Sequence, residues 1–247
     1  MIVQKIKRKF HNLTHPVTGE IWMLHRVVEQ RSDKPEQREL EVTVDWLEQK
    51  VLEYQKRGYI FVSISETLRR IGGLENNSFT PLLRRNKRRF VCLTFDDGYR
   101  DNYTLAYPLL KRLGIPFTVY VTTGFIDNRS PMWWYPYQQL GMSSDELRLL
   151  DTDPLCTIGA HTVSHPKLDT LTREQQYQEI ATSKQTLESI LGHEIKHFSF
   201  PHGAHNTDTL DICRELGFHT IVQSWGGPLR RGEHPEVLPR INIKQSE

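Results

Sequence analysis

Apolar and polar residues alternate with a regular rhythm between residues 90 and 224. Short apolar runs predict strands, and the longer amphipathic stretches between them predict helices. This order predicts a mostly parallel α/β sheet with helical crossovers, whose chemistry lies at the carboxyl ends of the strands. The predicted strands cover residues 90–95, 116–123, 156–160, 197–200 and 219–224, and the predicted helices cover residues 103–114, 172–192 and 206–217.

The first ninety residues show weaker patterns. Helical spacing over residues 42–59, with Thr43 as a cap, predicts a helix, and the apolar run at 59–64 predicts a short strand. Glycines, asparagines and a cluster of arginines over 72–89 predict a loop whose charges are solvated. We expect one catalytic domain over residues 1–247, with residues 1–20 as a flexible N-terminal extension.

Residues 127–144 interrupt the alternation with the aromatic-rich stretch DNRSPMWWYPYQQLGMSS. Such a density of aromatic side chains is unusual for a surface turn. It favours a substrate wall or a loop packed on the mouth of a barrel.

Charge and composition exclude several classes of protein. The 32 basic and 30 acidic side chains nearly balance, which argues against a dedicated nucleic-acid binder. Three distant cysteines suggest neither a disulfide framework nor a cysteine-based zinc site, so we expect them to be small buried hydrophobes. No apolar run resembles a signal peptide or a transmembrane helix, so we expect a cytoplasmic protein.

Two adjacent carboxylates, Asp96 and Asp97, end the first strand of the regular region. Asp-Asp-Gly also favours an ordinary turn, which is an equally good interpretation of this segment alone. An acidic end to a strand is also found in nucleotide hydrolases, but the chain has no G-x-x-x-x-G-K-[ST] loop. Like charges at such a position need a counterion.

Two histidines, His161 and His165, follow another strand at a spacing of four residues. On one helical turn they would share a face, and with one carboxylate they would offer three ligands to a divalent metal. A zincin would have glutamate directly after the first histidine, where Thr162 stands here, so the base must come from elsewhere. A structural histidine pair is the alternative, but the combination with the Asp pair, both at the ends of predicted strands, favours a metal site.

The joint pattern of TFDDG and HTVSH resembles the first two motifs of the polysaccharide deacetylases, the NodB-homology group or carbohydrate esterase family four. The resemblance spans residues 90–243, and MLHRV near residue 23 resembles a segment that precedes this domain in many members. It implies a distorted (β/α) barrel of mostly parallel strands that removes N-acetyl groups from amino sugars. It also implies a divalent metal, zinc first, with cobalt, nickel or manganese as alternatives.

Carried over by position, the resemblance makes Asp96 the catalytic base and Asp97, His161 and His165 the metal ligands. Two adjacent acids then have separate tasks. One stays ionised on the metal, whose charge is the counterion, while the other accepts a proton from activated water.

The third motif of the family is altered here, in the segment FSFPHG. Ser199 stands where fuller motifs have the arginine that orients the base. Arg240 is our candidate for that task, because its guanidinium fork can hold a carboxylate in bidentate fashion, although an ordinary surface arginine is an equal alternative. The resemblance also makes the backbone N–H of His202 a candidate oxyanion donor.

The histidine that serves as general acid in the family has no clear counterpart in the late segment VLPRINI. His25, His202 and His205 are candidates, since histidine titrates in the useful range. His25 is favoured because it follows the apolar run 21–24, which could be the first barrel strand. The alternative for His25 is a solvated or core histidine.

Four aromatic residues are candidates for stacking on a sugar, because an apolar ring face suits the C–H side of a pyranose. Core packing is the alternative for each, and we expect only one or two to meet substrate. The candidates are Trp133, Trp134, Tyr135 and Trp225.

Together with these patterns, the family resemblance implies a metal-dependent deacetylase acting on an N-acetylated saccharide, nucleotide-linked or lipid-linked, in surface polysaccharide synthesis. An enzyme that removes another acyl group, such as formyl, is one alternative. A saccharide-binding protein that keeps the metal without turnover is another, since the third motif is altered.

Overall fold

The core of the molecule is a closed ring of seven parallel strands. The computed structural model describes residues 16–71, 88–135, 138–230 and 236–246. The strands are β1 (Val17–Leu24), β2 (Arg26–Val28), β3 (Glu41–Thr43), β4 (Ile60–Phe61), β5 (Phe90–Phe95), β6 (Phe117–Val121), β7 (Cys156–Ala160), β8 (His197–Ser199), β9 (Thr220–Gly226), β10 (Leu229–Arg230) and β11 (Val237–Asn242). The ring runs β1, β5, β6, β7, β8, β9, β11 and back to β1; β4 extends it beside β5, and β10 pairs antiparallel with β1. The predicted (β/α) barrel of mostly parallel strands is confirmed.

Helices connect most of the barrel strands and bury their apolar faces against the outside of the ring. The longest, α6 (Arg173–Leu191), begins after a capping box between Thr172 and Gln175 and ends before Gly192, which adopts the left-handed conformation that stops a helix. In the described residues none of the helices is both long and apolar enough to cross a membrane. The helices are α1 (Pro35–Arg38), α2 (Val44–Lys56), α3 (Ile64–Ile71), α4 (Tyr107–Leu113), α5 (Ser144–Asp151), α6 (Arg173–Leu191) and α7 (Thr207–Glu215).

Several predicted elements differ from the structure. The strand predicted over 59–64 is only two residues long, because the Ser63 hydroxyl accepts from the Glu66 N–H and α3 begins at Ile64. The extension predicted over residues 1–20 is wrong for its last part, since β1 begins at Val17. Residues 1–15, and 72–87 of the predicted loop, lie outside the described residues.

The inward-facing residues of the barrel form two layers. Toward the amino ends of the strands lies an apolar layer, closed below by α3, which we call the barrel floor. Toward the carboxyl ends the inward positions become polar, and we call this layer the barrel rim. The floor contains Ile21, Phe90, Cys92, Val222 and Leu238, and the rim contains Asp96, Asp97, His161, His165 and Arg240.

All three cysteines are buried and carry free thiols, as their spacing predicts.

Candidate metal centre and active site

The two adjacent aspartates reach one site because the backbone changes conformation between them. Cys92, Thr94 and Asp96 share the inward face of β5, since successive residues of a strand alternate. Asp97 then adopts a left-handed conformation, with φ of 75°, which breaks the alternation. Both carboxylates therefore lie beside His161, whose Nε2 is 4.0 Å from Asp96 and 3.4 Å from Asp97.

Asp97, His161 and His165 form a buried cluster with the donor set of a divalent metal site. Asp97 Oδ1 lies 3.4 Å from His161 Nε2 and 3.3 Å from His165 Nε2, and the candidate ligand atoms of the three residues all lie within 4.8 Å of one another. In the described part of the chain, no group donates a hydrogen bond to Asp97 Oδ1. A buried acceptor without a donor, facing two imidazole nitrogens, fits a divalent cation held by two histidines and a carboxylate.

The two histidines lie on a loop, so the prediction that they share a helical turn is wrong. Residues 161–165 follow β7 without helical structure, and both Thr162 and His165 have positive φ, at 66° and 62°. The Ser199 carbonyl lies 2.8 Å from His161 Nδ1. Because a carbonyl only accepts, this contact keeps the proton on Nδ1 and leaves the Nε2 lone pair for a metal.

The electrostatics of the cluster favour a neutral His165 and an ionised Asp97, as a metal requires, but they favour protonation of His161. Burial lowers the pKa of His165 to about 3, so its imidazole is neutral at pH 7. Burial raises the pKa of Asp97, but His165 and His161 outweigh it and hold that pKa below its ordinary value. Burial lowers the pKa of His161, whereas Asp96 and Asp97 raise it by more, so its net shift is upward. Protons therefore compete with a metal mainly at His161.

Arg240 clamps Asp96 from β11 in a bidentate pair. Its Nη1 donates to Asp96 Oδ1 at 2.7 Å and its Nη2 donates to Asp96 Oδ2 at 2.5 Å. The guanidinium is itself fixed by Thr94 Oγ1 at 3.0 Å, Ser199 Oγ at 2.8 Å and the Gln223 carbonyl at 2.8 Å. Arg240 is 1% exposed, so the alternative of an ordinary surface arginine is wrong.

The clamp sets the charge of Asp96. Burial raises the pKa of this carboxyl, but Arg240 and then His161 lower it by more, so the group stays ionised at neutral pH. Ser199 explains the altered third motif in physical terms. Its small side chain leaves room for the guanidinium of Arg240 and accepts one of its hydrogen bonds.

His25 is placed beside the base by strand register. Leu24 of β1 pairs with Phe95 of β5, and the Asp96 N–H donates to the Leu24 carbonyl at 2.9 Å, so His25, which directly follows β1, stands level with Asp96. His25 is half-buried and lies close enough to both aspartates to interact with them electrostatically. Its carbonyl accepts from Asn102 Nδ2 at 2.8 Å. This placement suits a proton donor, and the assignment stays a prediction.

The other two candidate acids, His205 and His202, lie in different surroundings from His25. The ring of His205 stacks on Phe200 at 4.5 Å, and its Nδ1 bonds the Gly203 carbonyl. His202 has a left-handed backbone, and its ring lies 4.6 Å from that of His165. His202 is therefore at the site, while its backbone N–H as an oxyanion donor stays a prediction.

The four aromatic candidates divide into exposed and packed residues. Trp133 and Trp225 are 60% and 54% exposed. Trp133 lies 6.3 Å from the ring of His202, and Trp225 covers Gly203, where a Cβ would overlap its ring. The two exposed tryptophans thus flank residues 202–203 and are available to a ligand.

The other two aromatic residues pack inward. Trp134 donates from Nε1 to the Tyr99 hydroxyl at 2.6 Å, and its ring lies 4.7 Å from that of His165. Tyr135 is buried at 1% exposure in a cluster with Tyr99, and its ring lies under the guanidinium of Arg26. The prediction that Tyr135 meets substrate is therefore corrected: it supports the loop from inside.

Thr94 is a site residue that the sequence pattern did not single out, and Ser199 was noted only as the replacement for an arginine, not as a contact of Arg240. Both hydroxyls accept from Arg240, and both lie on inward positions of their strands. The two-residue period could have found Thr94, because it shares a strand face with Asp96. The contact of Ser199 is long-range and leaves no local signal.

A buried Asp-His-His cluster that could hold a metal ion lies beside a separate clamped aspartate, at the carboxyl ends of parallel barrel strands. The family model for polysaccharide deacetylases matches residues 84–221, which is more than half of the chain. The chain belongs to the polysaccharide deacetylase family.

Individual relatives agree with this assignment. The chain is 25% identical to YxkH of Bacillus subtilis over 92% of its own length and 72% of that protein. It is 33% identical to a chitooligosaccharide deacetylase of Azorhizobium caulinodans over 62% of this chain and 65% of that protein, which is less than two thirds of either.

Solved structures extend the similarity to the fold. The Streptococcus pyogenes deacetylase PplD, determined in complex with acetate, superposes with a TM-score of 0.73 at 27% identity and 93% coverage of both chains. IcaB from Ammonifex degensii superposes with a TM-score of 0.74 at 21% identity over 92% of each chain, a likeness of fold alone.

Proposed function

We propose that this protein is a metal-dependent amide hydrolase that removes the N-acetyl group of an amino-sugar-containing saccharide. The main supporting observation is that the two adjacent aspartates have different partners at the rim. Asp97 lies with two histidines, whereas Asp96 is held apart from them by Arg240. The activities named for the chitooligosaccharide relative and for PplD support the deacetylase assignment.

Asp97, His161 and His165 would hold the ion, and zinc suits two imidazoles with one carboxylate best. When bound, a divalent ion supplies a Lewis acid that makes water nucleophilic at neutral pH and polarises the acetamide carbonyl. The residues of the chain supply the remaining steps.

Asp96 is the proposed base. It is ionised, and its Oδ2 lies 4.0 Å from His161 Nε2, at the edge of the ligand cluster. There one carboxylate oxygen accepts the proton that the attacking water loses as it bonds to the acetyl carbon. Arg240 keeps the carboxylate from rotating toward the cluster and becoming a further ligand.

His25 is the proposed acid. As the carbon–nitrogen bond breaks, the amine of the sugar must gain a proton while acetate departs. His25 stands level with Asp96 on the neighbouring strand and is half-buried, so it can meet both substrate and solvent. The backbone N–H of His202 is proposed to donate to the oxyanion that forms on the carbonyl.

Exposed aromatic faces support a saccharide as the substrate. Trp133 and Trp225 present apolar rings beside His202, where the C–H face of a pyranose can stack. We place the reaction in surface polysaccharide synthesis, on the family resemblance.

The test is acetate release from N-acetylglucosamine oligomers, measured with the intact protein, after chelation and after zinc or cobalt is returned. We expect activity to disappear with the chelator and to return with the metal. Hydrolysis that is indifferent to strong chelation would contradict the proposal. Release of formate but not acetate from matched acyl variants would move the assignment to another acyl group.

Two variants separate the roles of the adjacent acids. Asp97→Asn should lose cobalt binding and turnover together, because it removes a ligand. Asp96→Asn should bind cobalt and lose turnover, because it removes only the base. If Asp96→Asn lost cobalt binding instead, the separate roles proposed for Asp96 and Asp97 would be wrong.

A further inference from the structure

Glu179, on the outer helix α6, touches the loop that carries the second metal-ligand histidine. Its Oε2 accepts from the Val163 N–H and from the Ser164 N–H, both at 2.9 Å. Its Oε1 accepts from the Ser164 hydroxyl at 2.6 Å. Three donors of the histidine loop thus converge on one carboxylate.

The loop needs an external partner because its backbone is strained. Thr162 and His165 both have positive φ, and a β-branched residue such as Thr162 adopts this conformation rarely. Strained residues persist only where their surroundings hold them in place. Within the loop, the His165 N–H donates to Thr162 Oγ1 at 3.1 Å.

The side of the loop opposite Glu179 is held by the segment after β6. The Thr123 N–H donates to the Thr162 carbonyl at 3.0 Å, and the Gly124 N–H donates to the Val163 carbonyl at 2.8 Å. The fit is close: a Cβ at Gly124 would lie 2.5 Å from the Val163 oxygen. The loop carbonyls therefore accept from the segment after β6, while the N–H groups of Val163 and Ser164 donate toward α6.

Two successive N–H groups that aim at one point form a concave site for an anion. In this molecule the anion is the Glu179 carboxylate, presented by a 19-residue helix with a defined cap at each end. Glu179 makes these contacts with residues 163 and 164, which directly precede His165. It acts on the metal ligand through the backbone.

We propose that Glu179 is a positioning residue for the metal centre, which fixes the 162–165 loop so that His165 Nε2 stays opposed to Asp97 Oδ1. This inference rests on the proposed metal site. Loss of the carboxylate leaves two N–H groups without an acceptor and frees the loop to relax, which moves His165. The effect is expected on metal affinity more than on the fold.

The experiment measures the dissociation constant of Co²⁺ for the full chain by competition with a chelator. Glu179→Ala should weaken binding by about 10- to 100-fold, the usual effect of losing a residue that orients a ligand. Glu179→Gln keeps an oxygen that can accept from both N–H groups and an NH₂ that can donate to the Ser164 hydroxyl. Because only the charge is lost, we expect cobalt affinity to fall by only about threefold.

Glu174→Ala is the matched control, because Glu174 lies on the same helix and bonds Gln178 rather than the loop. Its cobalt affinity should equal that of the wild type. The visible spectrum of bound cobalt and the Tm of the metal-free protein are recorded for every variant. We expect the spectrum to change in Glu179→Ala only, and the Tm of the two alanine variants to differ little.

Three results would overturn the inference in distinguishable ways. Equal cobalt affinity and spectrum in wild type and Glu179→Ala would remove the role of Glu179 and leave the proposed function intact. An equal loss of affinity in Glu174→Ala would show a general effect of α6. A wild-type protein that binds no cobalt would overturn the metal site itself. If Glu179→Ala does not fold, the same test is made by comparing Glu179→Gln with Glu174→Gln. We then expect a loss of cobalt affinity in Glu179→Gln only.

Discussion

The floor and the rim of the barrel are built on the same strands but differ in residue type and in backbone conformation. Every floor residue is apolar or aromatic and buried, and the layer is sealed by the apolar face of α3. The rim buries carboxylates, imidazoles and a guanidinium. Of the six non-glycine residues with positive φ in the described part of the chain, four lie at or beside the rim: Asp97, Thr162, His165 and His202.

The difference shows where the sequence departs from what stability alone would select. Burying charge is costly unless it is paired, and left-handed backbone at non-glycine residues is strained. Such departures concentrate at functional sites, whereas a floor that only packs keeps to ordinary strand geometry. Substitutions should therefore change stability in the floor and chemistry in the rim.

The largest effect is expected from Asp96→Asn at the rim. Loss of a general base costs about 10²- to 10⁴-fold in rate. We expect kcat for acetate release to fall by that factor while cobalt affinity stays at the wild-type level. A variant with at least a tenth of the wild-type kcat would show that another group is the base.

Next is Arg240→Met, which leaves the buried Asp96 without its partner. Breaking a buried pair from one side costs about 3–5 kcal/mol. Because the folded-state pKa of Asp96 lies below 3.8, the stabilisation from ionised Asp96 is present above pH 3.8 and disappears as pH falls through the folded pKa. Denaturant unfolding of the metal-free protein should show a large destabilisation at pH 7 that shrinks at low pH. A difference independent of pH would contradict the pairing.

Leu238→Ala, in the floor, is expected to lower stability without changing metal binding. Removing a fully buried leucine costs about 2–5 kcal/mol, because it loses apolar burial and leaves a cavity. We expect the midpoint of denaturant unfolding to fall while cobalt affinity is unchanged below the transition. Weaker cobalt binding by the folded variant would show that floor and rim are not separable.

The pH dependence of metal affinity is a smaller effect of the rim. The pKa of His161 is raised above 6.5, and a metal binds only the neutral imidazole. Cobalt affinity should therefore fall about tenfold for each pH unit below that raised pKa. Titrations at several pH values check this, and an affinity that is constant from pH 8 to 6 would argue against His161 as a ligand.

The smallest effect is expected from Trp133→Ala on the exposed side of the rim. Loss of one stacking face costs about 0.5–1.5 kcal/mol, so KM for an N-acetylglucosamine oligomer should rise by about two- to thirteenfold with little change in kcat. Leu149→Ala is the control, since Leu149 is similarly exposed, at 54%, on α5. An equal rise of KM in both variants would argue against a sugar contact at Trp133.

The parts of the molecule that follow from sequence periodicity could be predicted. The two-residue alternation of β5 fixed the inward position of Asp96, and the order of strands and helices fixed the barrel. Arg240 could be proposed as the residue that orients the base, because its guanidinium can hold a carboxylate in bidentate fashion. Its reach to Asp96 depends on the pairing of β11 beside β1, which local pattern does not encode.

Features set by tertiary contact could not be predicted. A spacing of four residues suggested a helical turn for His161 and His165, but contacts from Glu179 and Gly124 hold a strained loop there instead. The aromatic composition of 127–144 suggested substrate contact for Tyr135, yet burial beside Tyr99 makes it a core residue. Composition cannot say which face of a loop turns inward.

The central claim is that one aspartate binds the metal while its neighbour stays free to act as base. Anomalous diffraction from a crystal grown with zinc tests it directly. We predict one ion about 2.0–2.2 Å from Asp97, His161 Nε2 and His165 Nε2, with Asp96 still paired to Arg240 and outside the coordination sphere. No ion among these three residues, or an ion bound by both aspartates, would contradict the account.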